Sequence, residues 1–248
     1  MFPTAFWKSS AAVYDPAVLS LQGWWRASYG GSPWAGTASA GGSNGRNISE
    51  ATNPPATGAA VNGYTPADFD GADDQLSTAT ACTTFVADAA GSLFCLFYAD
   101  AAATDPGSAG YYSNPSFFVN DGDGYLGFGF SDSGIVLGSY DSTSGTFDSV
   151  ASACATGGWH LGQARWDNSA GGGAGLMEVR VDSGGWTTMA KLVEVSLSAN
   201  GVRVGTSFTG AFFLDGKILE LGAAQTKFSD ADFNNIKSYV NARYALSL

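Results

Sequence analysis

The chain has 248 residues, of which 45% are hydrophobic, 13% are charged and 34 are glycine. So many glycines exclude a helix-rich fold, because each one inside a helix lowers its stability by about 1 kcal/mol, and they are typical of short strands joined by tight turns. The net charge of −11 disfavours binding to nucleic acid or to anionic membranes, whose phosphates repel such a surface. One domain is expected, since β-sandwiches of this length often form a single core.

The first 17 residues are interpreted as an N-terminal arm, followed by one domain over residues 18–248. The arm carries apolar side chains that either pack under the domain or dock on a partner protein, and both alternatives stay open. The candidate docking residues are Phe2, Phe6, Trp7 and Tyr14. The start of the chain has no basic segment followed by an apolar run, so neither a signal peptide nor a transmembrane segment is predicted.

Between Arg46 and Arg165 the sequence contains many carboxylates and no Lys or Arg. These acids therefore have no cationic neighbour in the local sequence. Such residues attract divalent cations, but they also keep a protein soluble, and the second interpretation is favoured.

The chain up to residue 100 predicts strands around a long, Gly- and Pro-rich surface loop. In the corner over residues 69–76, Gly71 permits the bend, and the side chains of Asp73 and Asp74 are expected to accept backbone N–H bonds. Alternating or apolar runs predict strands over residues 19–27, 83–87 and 92–99.

The middle of the chain predicts a meander of strands over residues 116–120, 125–130, 135–140 and 146–150. Asp121 and Asp123 lie in an Asp-Gly-Asp-Gly segment between the first two of these strands. Asp-Gly is a common two-residue hairpin turn, and this is the favoured interpretation. If a cation binds, Ca²⁺ is expected at Asp121 and Asp123, because loop carboxylates are its preferred ligands.

A candidate carbohydrate-binding surface flanks this acidic turn. A sugar needs an aromatic face for its apolar side and polar groups for its hydroxyls. Tyr111, Tyr112, Asn114 and Tyr125 supply both kinds of group and are the predicted sugar-binding residues. Packing at the edge of the sandwich is the alternative role for the same aromatic side chains.

The last ninety residues predict the strands that complete a sandwich and one helix. Apolar and polar residues alternate over 159–167 and 176–182, and further strands are expected over 201–207 and 212–221. Ser229 is a predicted N-cap, because Phe233, Ile236, Val240 and Tyr244 follow it at helical spacing.

The order of these elements resembles the laminin-G-like members of the concanavalin A-like lectin/glucanase superfamily. The resemblance rests on Trp159-His160-Leu161, on the segments 179–184, 202–205 and 212–222, on the closing helix, and on the F-D-G-x-D-D-x-L element over 69–76. It implies an all-β fold: a two-sheet antiparallel jelly-roll sandwich with one C-terminal helix. It says little about function, since this architecture contains lectins, hydrolases and adhesive modules.

Hydrolases of the superfamily place a Glu-x-Asp-x-Glu set on one strand. The nearest match here is Glu178-x-Arg180-x-Asp182, whose middle residue is a cation, so a cross-paired strand face is the simpler explanation. His160 is the only histidine; it is interpreted as a structural strand residue, and a multi-histidine zinc site is excluded. The three cysteines form neither a metal-binding nor a disulfide pattern. No enzymatic activity is predicted.

The sequence therefore predicts a non-catalytic module that recognises carbohydrate or a host surface, exposed on a phage virion as a capsid decoration or tail-associated protein. The lack of an export signal supports this location, because virions leave the cell by lysis. A virion or extracellular location is expected. The expected partners are surface glycan and other virion proteins, and the protein is expected to bind neither nucleic acid nor a membrane. The sequence is compatible with an oligomer. A purely structural virion protein is the alternative, and a polysaccharide-cleaving enzyme is less favoured.

Overall fold

The structure is a computed structural model, and it describes residues 14–26, 48, 53–100, 116–120, 125–131, 134–141, 145–170, 175–191, 194–195, 197, 199–207, 210 and 212–248. The strands within these ranges are β1 (Gly23–Arg26), β2 (Ala56–Thr57), β3 (Ala67–Asp70), β4 (Leu76–Thr78), β5 (Ala90–Ala99), β6 (Ser116–Asn120), β7 (Tyr125–Ser131), β8 (Gly134–Asp141), β9 (Thr146–Ser152), β10 (Trp159–Asp167), β11 (Leu176–Val181), β12 (Thr187–Ala190), β13 (Val202–Val204) and β14 (Asp215–Ala224). One α-helix, α1 (Asp230–Tyr244), follows them. No helix in these ranges is long and apolar enough to cross a membrane.

The strands form two antiparallel sheets. The larger sheet has the order β12-β11-β10-β5-β14-β3-β2, and β1 also pairs with β14. Along one edge of β14, β3 pairs with residues 215–218 and β1 pairs with residues 220–223. The smaller sheet has the order β4-β13-β6-β7-β8-β9. The predicted all-β, two-sheet sandwich with a C-terminal helix is confirmed.

Aromatic side chains fill the space between the sheets. Phe97 of the larger sheet lies 4.4 Å from Phe117 of the smaller one, measured between ring centroids, and Phe117 lies 5.5 Å from Phe128. Such tilted ring pairs stabilise a core beyond the area that they bury. Gly205 adopts a φ of +84°, and a Cβ at this position would lie 2.2 Å from the Phe69 ring. Only glycine therefore lets this turn approach the core.

Helix α1 covers part of the outer face of the larger sheet. Ser229 caps it as predicted: its Oγ accepts a 3.2 Å bond from Asp232 N, and the Asp232 carboxylate accepts a 2.9 Å bond from Ser229 N. The residues buried between the helix and the sheet form what we call the outer cluster: Trp24, Phe94, Leu96, Leu161, Leu219, Ala224, Phe228, Phe233, Ile236, Tyr239, Val240 and Tyr244. The sandwich thus has a third layer at one side.

Two local predictions are wrong. Residues 83–87 do not form a strand, because Cys82–Thr84 is a 3₁₀ turn, and Phe85 and Val86 follow it into the core. Asp182 lies outside β11 and adopts a left-handed φ of +52°, so it does not share a strand face with Glu178 and Arg180. This conformation turns the Asp182 carboxylate toward β10.

Candidate functional site

Most of the site residues predicted from the sequence lie outside the described residues. These are the sugar-binding candidates Tyr111, Tyr112 and Asn114, the calcium candidates Asp121 and Asp123, and the docking candidates Phe2, Phe6 and Trp7. Tyr125 is the first residue of β7, and its side chain is also outside the description. Tyr14 packs against the outer cluster. Their predicted roles stay predictions.

The structure brings together four other residues, from four strands, in one row across the larger sheet. Trp159 of β10 pairs with Tyr98 of β5, Tyr98 pairs with Lys217 of β14, and Lys217 pairs with Asp68 of β3. All four side chains are half-buried. Because neighbouring strands are about 4.8 Å apart, the row extends for about 14 Å. We call it the cross-strand row.

Strand alternation places the cross-strand row on the outer face. Phe97 and Ile218, the neighbours of Tyr98 and Lys217, point into the core, while Leu96 and Leu161, two residues along the same strands, belong to the outer cluster. Since successive side chains of a strand point to opposite faces, Tyr98, Trp159 and Lys217 share the face that α1 covers. They lie just beyond the outer cluster.

Ring and charge contacts hold the cross-strand row together. The Tyr98 and Trp159 rings meet edge to face with centroids 5.6 Å apart, and Lys217 Nζ lies 5.0 Å from the Tyr98 centroid. Lys217 Nζ lies 3.5 Å from an Asp68 carboxylate oxygen and also donates a hydrogen bond to Asp100. Burial opposes the charge of Lys217, but the Asp100 hydrogen bond and the Asp68 carboxylate outweigh it and raise the pKa of Lys217 above its ordinary value.

This arrangement offers a ligand two kinds of contact side by side. The indole and phenol rings present apolar surface, whereas the ammonium and the two carboxylates present one donor group and several acceptors. A pyranose ring has one apolar side and a rim of hydroxyls, so it matches both. Sequence reasoning missed these residues, because they are far apart along the chain and no local motif joins them.

An acidic corner lies beside the row, at the end of β3. One carboxylate oxygen from each of Asp70, Asp73 and Asp74 lies within 4.8 Å of the others. Asp74 accepts a 2.9 Å bond from Asp70 N, and Asp70 accepts a 2.8 Å bond from Ala72 N. Burial raises the pKa of Asp74. The carboxylates could hold a divalent cation, but the turn already uses two of them as backbone acceptors, as the sequence predicted for Asp74.

Glu178 is the residue on which a hydrolase would depend, and two cations bind it. Arg165 reaches it with Nε at 2.8 Å and Nη2 at 3.2 Å, and Lys227 Nζ lies 2.8 Å away. Burial alone would raise the pKa of Glu178, but these hydrogen bonds outweigh it and lower the pKa. A general acid of a glycosidase needs a raised pKa, so Glu178 is suited to stabilising the contact with α1 rather than to donating a proton.

No protein-family model matches the chain, and no curated protein matches its sequence. Several solved structures have a similar fold. The binding domain of Paraclostridial Mosquitocidal Protein 1 matches with a TM-score of 0.60 at 7% identity, over 81% of this chain and 49% of that one. The binding domain of botulinum neurotoxin serotype D matches with a TM-score of 0.55 at 10% identity, over 89% and 52%.

A third similar structure comes from an enzyme. A GH54 α-L-arabinofuranosidase matches with a TM-score of 0.51 at 13% identity, over 82% of this chain and 49% of that one. This chain therefore spans about half the length of each of the three structures. At such low identities the likeness shows the fold alone, a β-sandwich that occurs in binding domains and in an enzyme.

Proposed function

We propose that the protein is a glycan-recognition module, and that it binds its ligand at the cross-strand row without cleaving it. The observation that carries the proposal is the register of Trp159, Tyr98, Lys217 and Asp68 on a partly exposed sheet face. Two aromatic rings beside a fixed ammonium and carboxylates are what a sugar ring requires. The similarity to structures named as binding domains supports the same class of function.

Cleavage of a glycan is the weaker alternative, because the two buried glutamates among the described residues already have structural partners. Glu178 is bound by Arg165 and Lys227. Glu220 is fully buried and accepts hydrogen bonds from Trp24 and Tyr244. A glycosidase needs two carboxyl groups facing one substrate bond, and this pair is directed at protein donors instead.

A glycan array tests the proposal with a matched pair of variants. Tyr98→Ala removes an aromatic face from the cross-strand row, whereas Tyr140→Ala removes the same side chain from β8 of the other sheet. We expect Tyr98→Ala to weaken binding of the preferred glycan at least tenfold, which corresponds to about 1.4 kcal/mol, and Tyr140→Ala to leave it unchanged. Equal affinity of both variants would place the binding site elsewhere, and an array without any bound glycan would overturn the function.

Calcium dependence is measured in the same experiment. The sequence-based hypothesis of Ca²⁺ at Asp121 and Asp123 requires that glycan binding or thermal stability respond to a chelator. Asp121→Asn with Asp123→Asn should then abolish the response, whereas Asp73→Asn, in the acidic corner, should leave it intact. A response that instead disappears with Asp73→Asn would assign the ion to the acidic corner.

The location on a phage virion is a further part of the proposal, and it rests on the sequence. Residues 1–17, with Phe2, Phe6 and Trp7, are its docking segment. Deleting residues 1–13, which leaves Tyr14 packed against the outer cluster, should release the protein from particles without changing its affinity for glycan. Unchanged incorporation into particles would contradict docking by the arm, and release together with loss of glycan binding would indicate a misfolded domain.

A further inference from the structure

A second row of charged side chains lies next to the cross-strand row on the same face of the larger sheet. Asp70 of β3 pairs with Asp215 of β14, and Asp100, which follows β5, donates its backbone N–H to the Asp215 carbonyl at 3.1 Å. Each of the three lies two residues along the chain from a member of the cross-strand row, so both rows share one face. We call Asp70, Asp215 and Asp100 the aspartate row, and all three are exposed.

The aspartate row places like charges side by side. Carboxylates directly opposite each other on paired strands destabilise a sheet, and Asp70 and Asp215 are such a pair. Burial and then the charge of Asp100 raise the pKa of Asp215, against the opposing effect of Lys217. The arrangement therefore opposes folding, and a cation placed beside it would relieve the repulsion.

Lys217 neutralises these carboxylates only in part, because its ammonium is already engaged within the protein. An ammonium has three N–H groups. One is donated to Asp100, Asp68 lies 3.5 Å away, and the ammonium lies over the Tyr98 ring at 5.0 Å from its centroid. One lysine thus faces four carboxylates, those of Asp68 and the aspartate row. The groups left to meet a ligand here are mainly carboxylate oxygens, which accept hydrogen bonds and donate none.

We propose that the protein selects glycans that carry a free amino group, which the aspartate row binds while Tyr98 and Trp159 contact the apolar side of the sugar ring. This inference rests on the proposed glycan site and narrows its ligand. The ammonium of such a sugar donates charge-assisted hydrogen bonds to the aspartates, which are about twice as strong as neutral ones, and it relieves their mutual repulsion. A glycan with carboxylate or sulfate groups is repelled by the aspartate row and by the net charge of −11.

The extent of the aspartate row favours an amino sugar over the side chain of a basic peptide. Its carboxylates stand on three neighbouring strands, so they span about 10 Å. A single lysine ammonium can contact only part of this width, whereas an amino sugar also has hydroxyl donors around its ring. The two aromatic side chains suit the same ligand, because they present apolar surface next to these acceptors.

Glycan pairs that differ only at nitrogen test the inference. Oligomers of glucosamine and of galactosamine are compared with their N-acetylated forms, which lack the positive charge, and with glucuronate oligomers and an oligolysine peptide. We expect a free-amine glycan to bind at least about tenfold more tightly than its N-acetylated form. This ratio should fall between about 50 mM and about 500 mM salt, because salt screens the charges.

The outcomes separate this inference from the proposed function. Equal affinity for the amine and the N-acetylated form, or a preference for glucuronate, would overturn the inference and leave glycan recognition standing. Tighter binding of oligolysine than of either amino glycan would overturn it in favour of a basic protein partner. If no glycan binds at all, both the inference and the proposed function are wrong.

Asp215→Asn tests the aspartate row itself, with Glu194→Gln as the matched control. Glu194 is also exposed, but it follows β12, whose C-terminal end pairs through β11 with the end of β10 opposite to Trp159. Asp215→Asn should weaken binding of the preferred amino glycan at least about fivefold and lower its preference over the N-acetylated form, whereas Glu194→Gln should change neither.

The stability of Asp215→Asn distinguishes binding from a structural role. Its melting temperature should equal or exceed that of the wild type, because one of two facing carboxylates loses its charge. A lower melting temperature would mark the aspartate row as structural, and an unchanged affinity of Asp215→Asn for the amino glycan would place the amine elsewhere. Either result would refute the proposal.

Discussion

Glu220 offers a stability test of the contact between α1 and the larger sheet. The side chain is fully buried, accepting a bond from Trp24 Nε1 and a 2.8 Å bond from the Tyr244 hydroxyl. Glu220→Ala removes both acceptors from buried donors, and each unsatisfied donor destabilises the fold by about 1–3 kcal/mol. The expected loss is therefore about 2–6 kcal/mol, or less where the Tyr244 hydroxyl finds another partner.

Glu220→Gln separates the hydrogen bonds from the charge. The amide keeps the volume, its oxygen can accept from Trp24, and its NH₂ can donate to the Tyr244 oxygen, so we expect a change below about 1 kcal/mol at pH 7. Burial raises the pKa of Glu220 against the opposing bonds from Trp24 and Tyr244. Because the pKa of Glu220 is higher in the folded state than in the unfolded state, its contribution to stability is complete at a pH below the unfolded-state value. The contribution is lost as the pH rises through the folded-state value. The free energy of unfolding of Glu220→Gln, relative to that of the wild type, should therefore increase as the pH rises.

Urea unfolding followed by circular dichroism measures these differences, with Glu194→Ala as the control. Glu194 is exposed, and its truncation should change the free energy of unfolding by less than about 0.5 kcal/mol. The urea dependence should stay the same in all variants if the folded state is intact. An alanine variant as stable as the glutamine variant would refute the assignment of Glu220 as the shared acceptor of two buried donors.

Three further predictions concern other charged groups. The pKa of His160 is raised to about 10, so the contribution of its charge to stability is complete below about pH 6.5. Above that pH the contribution declines by at most about 1.4 kcal/mol per pH unit. In thermal unfolding between pH 6.5 and 8, His160→Gln should therefore lack this pH dependence of stability. Arg165→Met removes the Arg165 hydrogen bonds to Glu178 but leaves Lys227 as its second cation, so it should destabilise the fold by about 1.5–3 kcal/mol. Arg165→Met combined with Glu178→Met should recover part of that loss in the same urea assay. Saturating Ca²⁺ at about 100 times its Kd should stabilise the protein by about 2.7 kcal/mol if Asp121 and Asp123 bind it; an unchanged melting temperature would exclude the ion.

The fold could be predicted because its signals are local. The strand predicted over residues 159–167 has the same bounds as β10, although both faces of its middle residues are buried. Ser229 with the apolar spacing after it specifies α1. The prediction over residues 83–87 failed because Phe85 and Val86 are buried by the tertiary core and not by a strand. An apolar run alone does not separate these two cases.

The candidate site could not be predicted, because it depends on which strands become neighbours. Asp68 and Asp100 lie in the long interval without Lys or Arg, and local reasoning left them without a cationic partner. The sheet brings them Lys217 from β14, more than a hundred residues later in the chain. The residue types are visible in the sequence, whereas the register that pairs them is not.

The end of the outer cluster explains why the cross-strand row lies where it does. On β5 and β10, Leu96 and Leu161 are paired neighbours buried within the outer cluster, and two residues along the same face the pair becomes Tyr98 and Trp159. Since residues two apart on a strand point the same way, this face changes from aliphatic to aromatic and polar over about 7 Å. Leucines are needed where the helix excludes water. Beyond it, rings with polar edges and a paired lysine are half-buried and tolerate water, which is the property that the proposed glycan site requires.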